Sequence, residues 1–276
     1  MNQRYIPTGL WFIESTQFGD WLTKTDSFLL VHGPQGCGKS FLCGTALEYV
    51  AKQHRCGQSS VGIGIASFFF DDNLPQESKQ DDTDMLRSLL WNLSDQLRDN
   101  HEHLHKLVDH RQELSSDSLR DLLLQILGKF SQAFILIDGL DKSLSGTEVL
   151  KTIDGIRKSG LPVHLLVTSP DDPDIKQSIQ ADSNEVVTMS NDGVLHDISN
   201  KVTHELITHV MLKTYYGEHE NTHSAITERA KYGFRHAMDL VDILKEAYSM
   251  AQLNSLRARM SLWPSAPDAA RKENLA

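Results

Sequence analysis

Short apolar runs alternate with longer segments of helical periodicity along most of the chain. Five of these runs predict buried strands, at residues 28–32, 61–70, 134–138, 164–168 and 186–189. Helices are predicted between them, at residues 40–54, 83–97, 116–127 and 146–158. Strands that alternate with helices are typical of parallel βαβ units whose sheet is covered on both faces. The pattern therefore predicts an α/β fold with one five-stranded, mostly parallel sheet flanked by helices.

The turn between the first strand and the first of these helices carries the most specific motif. Residues 33–40 read GPQGCGKS, which satisfies the G-x-x-x-x-G-K-S pattern of a phosphate-binding loop. Glycines allow consecutive backbone N–H groups to face phosphate oxygens, and the helix that follows adds the positive end of its dipole. In this pattern Lys39 interacts with the terminal phosphates and Ser40 coordinates Mg²⁺. The predicted nucleotide-binding residues of this segment are Gly33, Pro34, Gln35, Gly36, Cys37, Gly38, Lys39, Ser40 and Phe41.

A carboxylate at the end of another apolar strand is expected to share the metal with Ser40. Asp138 follows the run FILI and fits this position, so Ser40 and Asp138 are the predicted Mg²⁺ ligands. Asp141 lies three residues further on and either orients an attacking water or is simply solvated, because spacing does not fix the geometry that water activation needs. Lys39 and Asp141 are the predicted catalytic residues.

The strand signals stop near residue 190, and helical patterning takes over through about residue 257. The last residues, 263–276, contain two prolines and charges of both signs. We therefore predict a lead-in segment (1–25), a P-loop nucleotide-binding domain (26–192), a small helical subdomain (193–258) and a disordered tail (259–276).

Several segments occur in the order found in one known family. They are TGLW (8–11) with Phe18 and Trp21, the loop at 33–40, SFFFD (67–71), LRSLL (86–90), IDGLD (137–141) and LLVTS (165–169), with weaker matches at 197–198 and 230–235. In these segments the chain resembles the NACHT-type domain of the STAND signal-transduction NTPases, specifically that of fungal NLR-like proteins, also described as nephrocystin-like N-terminal. The resemblance implies a P-loop NTPase with the sheet order 5-1-4-3-2 that binds ATP, ADP or GTP with Mg²⁺. It also implies Thr168 near the terminal phosphate and a nucleotide-driven switch that controls self-association.

Two departures from the family pattern concern hydrolysis. Lys142 stands where the family usually has an acidic residue, and Pro170 stands where it typically has an arginine that senses the terminal phosphate. Because loss of positive charge near a phosphoryl transition state lowers the rate more than it lowers binding, we expect binding with slow or absent turnover. The alternative is a non-hydrolysing interaction scaffold in which the nucleotide is structural or lost.

The choice of base is only weakly indicated. The TKTD sequence at 23–26 matches a guanine-reading pattern but precedes the phosphate loop, and IDGLD lacks the D-x-x-G of switch GTPases. ATP is therefore favoured over GTP by resemblance. Trp11 and Phe12 are either adenine neighbours or, more simply, residues of the core.

A competing motif, HEHLH at 101–105, satisfies the H-E-x-x-H pattern of zinc proteases, with His110 as a conceivable third ligand. Charged residues on both sides of it indicate a solvated surface rather than a dry metal pocket. We therefore expect a polar helix or loop here and no zinc.

Composition and charge limit the partners. The formal net charge of -10, from 27 Lys and Arg against 37 Asp and Glu, disfavours nucleic acid because no net positive field attracts a polyanion. The N-terminus lacks a signal-peptide core, and no apolar run approaches the ~20 residues that span a bilayer. Cys37, Cys43 and Cys56 lack C-x-x-C spacing, which predicts free thiols in a reducing compartment. We expect a cytoplasmic protein that binds nucleotide but no membrane, and that associates with a copy or partner through its helical part.

Overall fold

One parallel sheet organises the larger part of the molecule. The computed structural model describes residues 8–55, 62–71, 73–75, 79–97, 114–214, 220–231, 233–246, 252 and 255. Its strands are β1 (Ser27–His32), β2 (Ile63–Phe69), β3 (Gln132–Asp138), β4 (Val163–Ser169) and β5 (Val186–Thr188). Their spatial order is β2-β3-β4-β1-β5, which is the expected order 5-1-4-3-2 counted from the other edge. All five predicted strands are therefore confirmed.

Helices occupy the connections between strands and most of the chain after β5. Their bounds are α1 (Leu10–Ile13), α2 (Thr16–Thr23), α3 (Lys39–Arg55), α4 (Asp82–Ser94), α5 (Ser116–Leu127), α6 (Gly146–Arg157), α7 (Pro173–Ile179), α8 (Asp192–Thr208), α9 (Val210–Thr214), α10 (Glu220–Ala230) and α11 (Phe234–Lys245). The four helices predicted between the strands are confirmed, although α4 ends three residues earlier than its pattern indicated. Helices α1 and α2, by contrast, lie in the segment that the sequence presented only as a lead-in.

The sheet is buried because helices cover it. Strand β4 is buried along its whole length, and α3 packs against both β3 and β4. On α4, which packs against β2 and α5, the leucines at 86, 89, 90 and 93 have no exposed surface. Full burial of one such side chain contributes about 1.5–3 kcal/mol. The register of β3 against β4 matters below because Asp138, at the end of β3, and Thr168, next to the end of β4, are residues of the candidate site.

The described residues form two compact units. The larger one comprises Phe12–His32 and Lys39–Val187, and therefore contains nearly the whole sheet. The other comprises the described parts of Met1–Trp11, Gly33–Gly38 and Thr188–Ala276, in which α8 packs against α9, α10 and α11. The domain boundaries predicted from the sequence stay a prediction.

Ion pairs link two helices of the second unit. Glu205 of α8 lies 2.6 Å from Lys201 Nζ and 2.8 Å from Lys245 Nζ, the latter on α11. The hydrogen bonds from these two ammonium groups lower the pKa of Glu205 to about 2. The α8–α11 contact is therefore electrostatic as well as apolar.

Some predictions fall on residues that the structure does not describe. They are the HEHLH motif at 101–105, His110, Cys56 and the tail at 259–276. Within the described ranges, no helix combines the length and the apolar character needed to cross a bilayer.

Candidate nucleotide-binding site

The glycine-rich segment forms a tight turn that connects β1 to α3. Gly36 has a φ of +77°, a left-handed backbone conformation that side chains with a Cβ rarely adopt. Gly33 is constrained differently, because a Cβ there would lie 2.5 Å from Cβ of Met189. The N–H of Cys37 donates to the carbonyl of Pro34 across the turn at 3.4 Å. The pattern itself requires glycine at positions 33 and 38, and Gly38, with a φ of +103°, is also left-handed. The backbone thus needs glycine at both positions of the pattern and, in addition, at Gly36.

Two hydroxyl groups hold the carboxylate at the end of β3. Ser40, in the first turn of α3, donates from Oγ to Oδ2 of Asp138 at 2.6 Å, and Thr168 of β4 donates from Oγ1 to Oδ1 at 2.6 Å. The N–H of Gly139 in turn donates to Thr168 Oγ1 at 2.9 Å. Asp138 is 2% exposed and Thr168 is fully buried. The carboxylate is therefore held in one orientation, with an oxygen against the serine of the phosphate loop.

These oxygen atoms suit Mg²⁺. A serine hydroxyl and a carboxylate are hard ligands, and magnesium sites of this kind take their remaining ligands from phosphate oxygens and water. In the part of the chain that the structure describes, no group of three or more His, Cys, Asp or Glu side chains could hold a metal by itself. The donor set of Ser40 and Asp138 therefore fits a cation that arrives with a phosphorylated ligand.

The residues after Asp138 form a turn of 3₁₀ helix, Leu140–Lys142. Asp141, on this turn, is exposed to solvent. The ammonium group of Lys142 donates to the carbonyl of Phe70, which follows β2, at 3.4 Å. The structure thus brings Ser40, Asp138 and Thr168 together, whereas Asp141 makes no hydrogen bond or ion pair with another described residue.

A second charged cluster lies where β1 and β4 end. His32 pairs in register with Ser169, and its Nδ1 lies 3.3 Å from Oδ1 of Asp171, which also bonds Lys176 of α7. Burial, with the charges of Lys176 and Lys39, lowers the pKa of His32. The hydrogen bond from Lys176 lowers the pKa of Asp171. After Pro170, therefore, the nearest cation along the chain is a lysine held by a carboxylate.

Other predicted residues have simpler surroundings. Phe41 is 54% exposed on α3. Cys37 and Cys43 are buried and are not joined in a disulfide, and burial together with the Asp138 carboxylate raises the pKa of Cys43 well above its usual value. Phe12 is fully buried with its ring 5.0 Å from that of Phe18, which places it in the core.

Two buried polar networks could not be read from the sequence. Asp197 of α8 accepts at Oδ2 from the Gly9 N–H at 2.8 Å and from the Trp11 ring N–H at 3.0 Å. His164 of β4 donates from Nδ1 to the carbonyl of Trp21 at 2.6 Å, and its Nε2 lies 2.6 Å from the side-chain nitrogen of Gln132. For His164 the sequence signal was a polar residue inside an apolar pattern, whereas Gly9, Trp11 and Asp197 stand in segments that matched the family, although nothing indicated that they contact each other.

The sheet order and the strand–loop–helix motif define a P-loop nucleotide-binding fold. The family model described as "Nephrocystin 3, N-terminal" matches residues 7–170, which is more than half of the chain. The chain belongs to this family. No curated protein sequence matches it.

Solved structures show similar folds at low sequence identity. Drosophila ORC bound to DNA has a TM-score of 0.51 at 12% identity, covering 92% of this chain and 59% of that one. The ORC1 protein of Aeropyrum pernix in complex with DNA gives 0.48 at 14%, covering 88% and 62%. Rhizobiales Trip13 gives 0.45 at 14%, covering 94% and 84%. The chain thus spans less than two thirds of the two ORC chains, and the similarity concerns the fold alone.

Proposed function

We propose that this chain binds a nucleoside di- or triphosphate with Mg²⁺, ATP or ADP in preference to GTP. The amides of residues 33–38 and Lys39 would bind the phosphates, and Ser40 and Asp138 would hold the metal. Bound Mg²⁺ would neutralise phosphate charge. The resemblance to the NACHT-type family supports ATP or ADP over GTP. The acidic net charge disfavours a nucleic acid as the ligand.

The observation that carries this proposal is the 2.6 Å contact between Ser40 Oγ and Asp138 Oδ2. The two residues are 98 positions apart in the chain and come from the two motifs that were predicted to share a metal. A glycine-rich turn without a ligand would not require a buried carboxylate beside its serine. Thr168 would then act by holding Asp138, and its contact with a terminal phosphate stays a prediction.

We further propose that hydrolysis is slow or absent. Lys142 follows Asp141 on the same turn, at the position where the family usually has an acidic residue. Its ammonium group donates to the carbonyl of Phe70. The position after Ser169 is Pro170, and the lysine that follows in α7 is engaged by Asp171. Because Lys142 and Lys176 are engaged in these contacts, less positive charge is available to stabilise a phosphoryl transition state.

The setting that we propose is a NACHT/STAND-type switch in the cytoplasm, in which the helical part at 193–258 mediates association with a copy or another protein. The resemblance stated above supports this setting. Lys39 and Asp141 are the residues proposed to act in any residual turnover.

A thermal-shift titration tests nucleotide binding. At a ligand concentration of about 100 Kd the native state gains about 2.7 kcal/mol, which raises Tm by several degrees. We expect this shift with Mg-ATP or Mg-ADP, a smaller one with Mg-GTP, and almost none for Lys39→Ala. If Tm shifts neither for the wild type nor for Lys39→Ala, nucleotide binding is contradicted and the scaffold alternative remains.

A further inference from the structure

Strand β2 forms one edge of the sheet in the part of the chain that the structure describes. It pairs with β3 on one side and stands at the end of the sheet order. The N–H of Phe70, directly after β2, donates to the carbonyl of Asp138 at 3.0 Å, so Phe70 directs its backbone toward β3. Because the backbone direction alternates along a strand, Ile65, Ser67 and Phe69 direct their N–H and C=O groups away from the sheet. A further strand can be added to such a row of outward groups.

The sequence of β2 does not oppose the addition of a strand. Its seven residues, IGIASFF, contain no charged side chain and no proline. Edge strands of natural proteins usually carry lysine, proline or a bulge, which discourage pairing with another chain. Short uncharged segments rich in β-branched and aromatic residues are the ones that pair most readily. Strand β2 therefore needs protection from another part of the molecule.

The side chain of Gln96 bonds this edge in the way that a neighbouring strand does. Gln96 follows α4, and its Oε1 accepts from the Ile65 N–H at 2.9 Å while its Nε2 donates to the Ile65 carbonyl at 2.7 Å. A residue in an antiparallel ladder makes the same two bonds with the residue opposite it. Nε2 also donates to the carbonyl of Asn92, so both of its hydrogens are used. The carboxamide of Gln96 is thus held against β2 in place of a strand.

A second glutamine bonds the backbone just beyond the strand. Oε1 of Gln80 accepts from the N–H of Asp71 at 3.0 Å. Between the positions that the two glutamines bond, the outward groups of Ser67 and Phe69 make no hydrogen bond with a described residue. Two such residues are a short row beside the five or six residues of an ordinary strand. Loss of the Gln96 side chain would lengthen this row by Ile65.

We propose that the outer edge of β2 is a self-association surface that Gln96 keeps closed, and that its occupant is β2 of a second copy of this chain. The edge already binds one amide group, that of Gln96, and a polypeptide backbone offers the same chemistry. Two identical strands can pair antiparallel about a two-fold axis, and in β2 this brings no like charges together. The Gln96 bonds lie at the solvent-exposed surface, where an incoming backbone can replace them. The inference does not depend on nucleotide binding.

Three variants separate the carboxamide from unspecific effects. Gln96→Ala removes both bonds to Ile65. Gln125→Ala makes the same chemical change at an exposed position of α5, where the glutamine makes no hydrogen bond with another described residue. The double variant Gln96→Ala/Ser67→Pro removes an outward N–H from the opened edge. Edge strands accept proline where the N–H faces away from the sheet, so the pairing of β2 with β3 is kept.

The experiment is sedimentation velocity of the full chain and the three variants over a range of concentrations, without nucleotide. At the highest concentration we expect Gln96→Ala to reach about twice the weight-average mass of the wild type, as a two-fold dimer does. Gln125→Ala and the double variant should sediment as the wild type does. Amide hydrogen exchange of residues 65–69 should slow with increasing concentration for Gln96→Ala and not for the wild type, because a new ladder protects these amides.

Several results would overturn the inference. One is a Gln96→Ala chain that keeps the wild-type mass at every concentration. Another is association that Gln125→Ala shows equally, or that leaves exchange at residues 65–69 unchanged, because another surface would then be in use. If circular dichroism shows that the double variant is unfolded, the exchange measurement alone decides. Since no nucleotide is present, none of these results bears on the proposed function, which the thermal-shift titration tests separately.

Discussion

At the scale of single residues, the candidate site depends most on Asp138. Each of its carboxylate oxygens accepts from one hydroxyl, Ser40 on one side and Thr168 on the other. The Thr168 hydroxyl is itself occupied as an acceptor by the Gly139 N–H. The chain of donors fixes the orientation of the carboxylate beside Ser40, which suits a magnesium ligand.

Replacement of Thr168 by Val should therefore cost more than the loss of one ordinary hydroxyl. It leaves Oδ1 of Asp138 and the Gly139 N–H buried without a partner, which costs about 1–3 kcal/mol in the free energy of unfolding. Urea denaturation measures this loss. Thr152→Val is the matched control, because that buried hydroxyl only donates to the Glu148 carbonyl of its own helix. A loss for Thr168→Val no larger than for Thr152→Val would contradict the role given to Thr168.

His164 gives the pH dependence of stability a definite sign. Burial lowers its pKa below the ordinary value of 6.5, so the native state binds fewer protons than the unfolded state in mildly acidic solution. The stability of the wild type should thus fall as the pH decreases from 6.5 toward the lowered pKa and be constant above 6.5.

The measurement is the free energy of unfolding in urea at several pH values between 8 and 5, for the wild type and His164→Gln. We expect a shallower decline in the variant, with the remainder due to His32 and His54, whose pKa values burial also lowers. Identical slopes for the two proteins would show that His164 does not titrate as described.

At the scale of elements, the strands were predictable and the N-terminal helices were not. The strands are continuous apolar runs that only a covered parallel sheet buries, so pattern alone identified them. Helix α1 has four residues, LWFI, too few to show any period. Helix α2 begins at a serine cap, Ser15, whose Oγ accepts from the Phe18 N–H at 3.2 Å, and this cap was the available signal.

The contact between α8 and the segment around Gly9 is testable at this scale. Asp197 is buried and accepts two hydrogen bonds at one oxygen, from Gly9 and Trp11. Asp197→Ala leaves both donors without this acceptor and should reduce the free energy of unfolding by about 1–3 kcal/mol. It should also speed proteolysis near residue 9.

The control is Asp239→Ala on the exposed side of α11, for which we expect a change within about 0.5 kcal/mol. Equal stability of the two variants, with unchanged proteolysis, would show that Asp197 does not hold the N-terminal segment.

At the scale of the whole molecule, the topology explains why distant motifs converge. In the order β3-β4-β1, the ends of β3 and β4 are adjacent, and α3 starts from the loop after β1. The sequence indicated Ser40 and Asp138 because each stands in a recognisable motif. It did not indicate that Thr168 would bond Asp138, because that contact depends on the register of β3 against β4. It also could not indicate that the N–H of Arg235 donates to the carbonyl of Gly36, since that contact joins segments far apart in the chain.

The magnesium site is tested most directly by the effect of Mg²⁺ on nucleotide affinity. The Kd for ADP is measured by calorimetry with Mg²⁺ and with EDTA, for the wild type and for Asp138→Asn. We predict that Mg²⁺ strengthens binding to the wild type by at least about tenfold, or 1.4 kcal/mol, and has little effect on the variant. The same magnesium effect in both proteins, or no binding of nucleotide to the wild type, would contradict the assignment of Asp138 and Ser40 as the metal site.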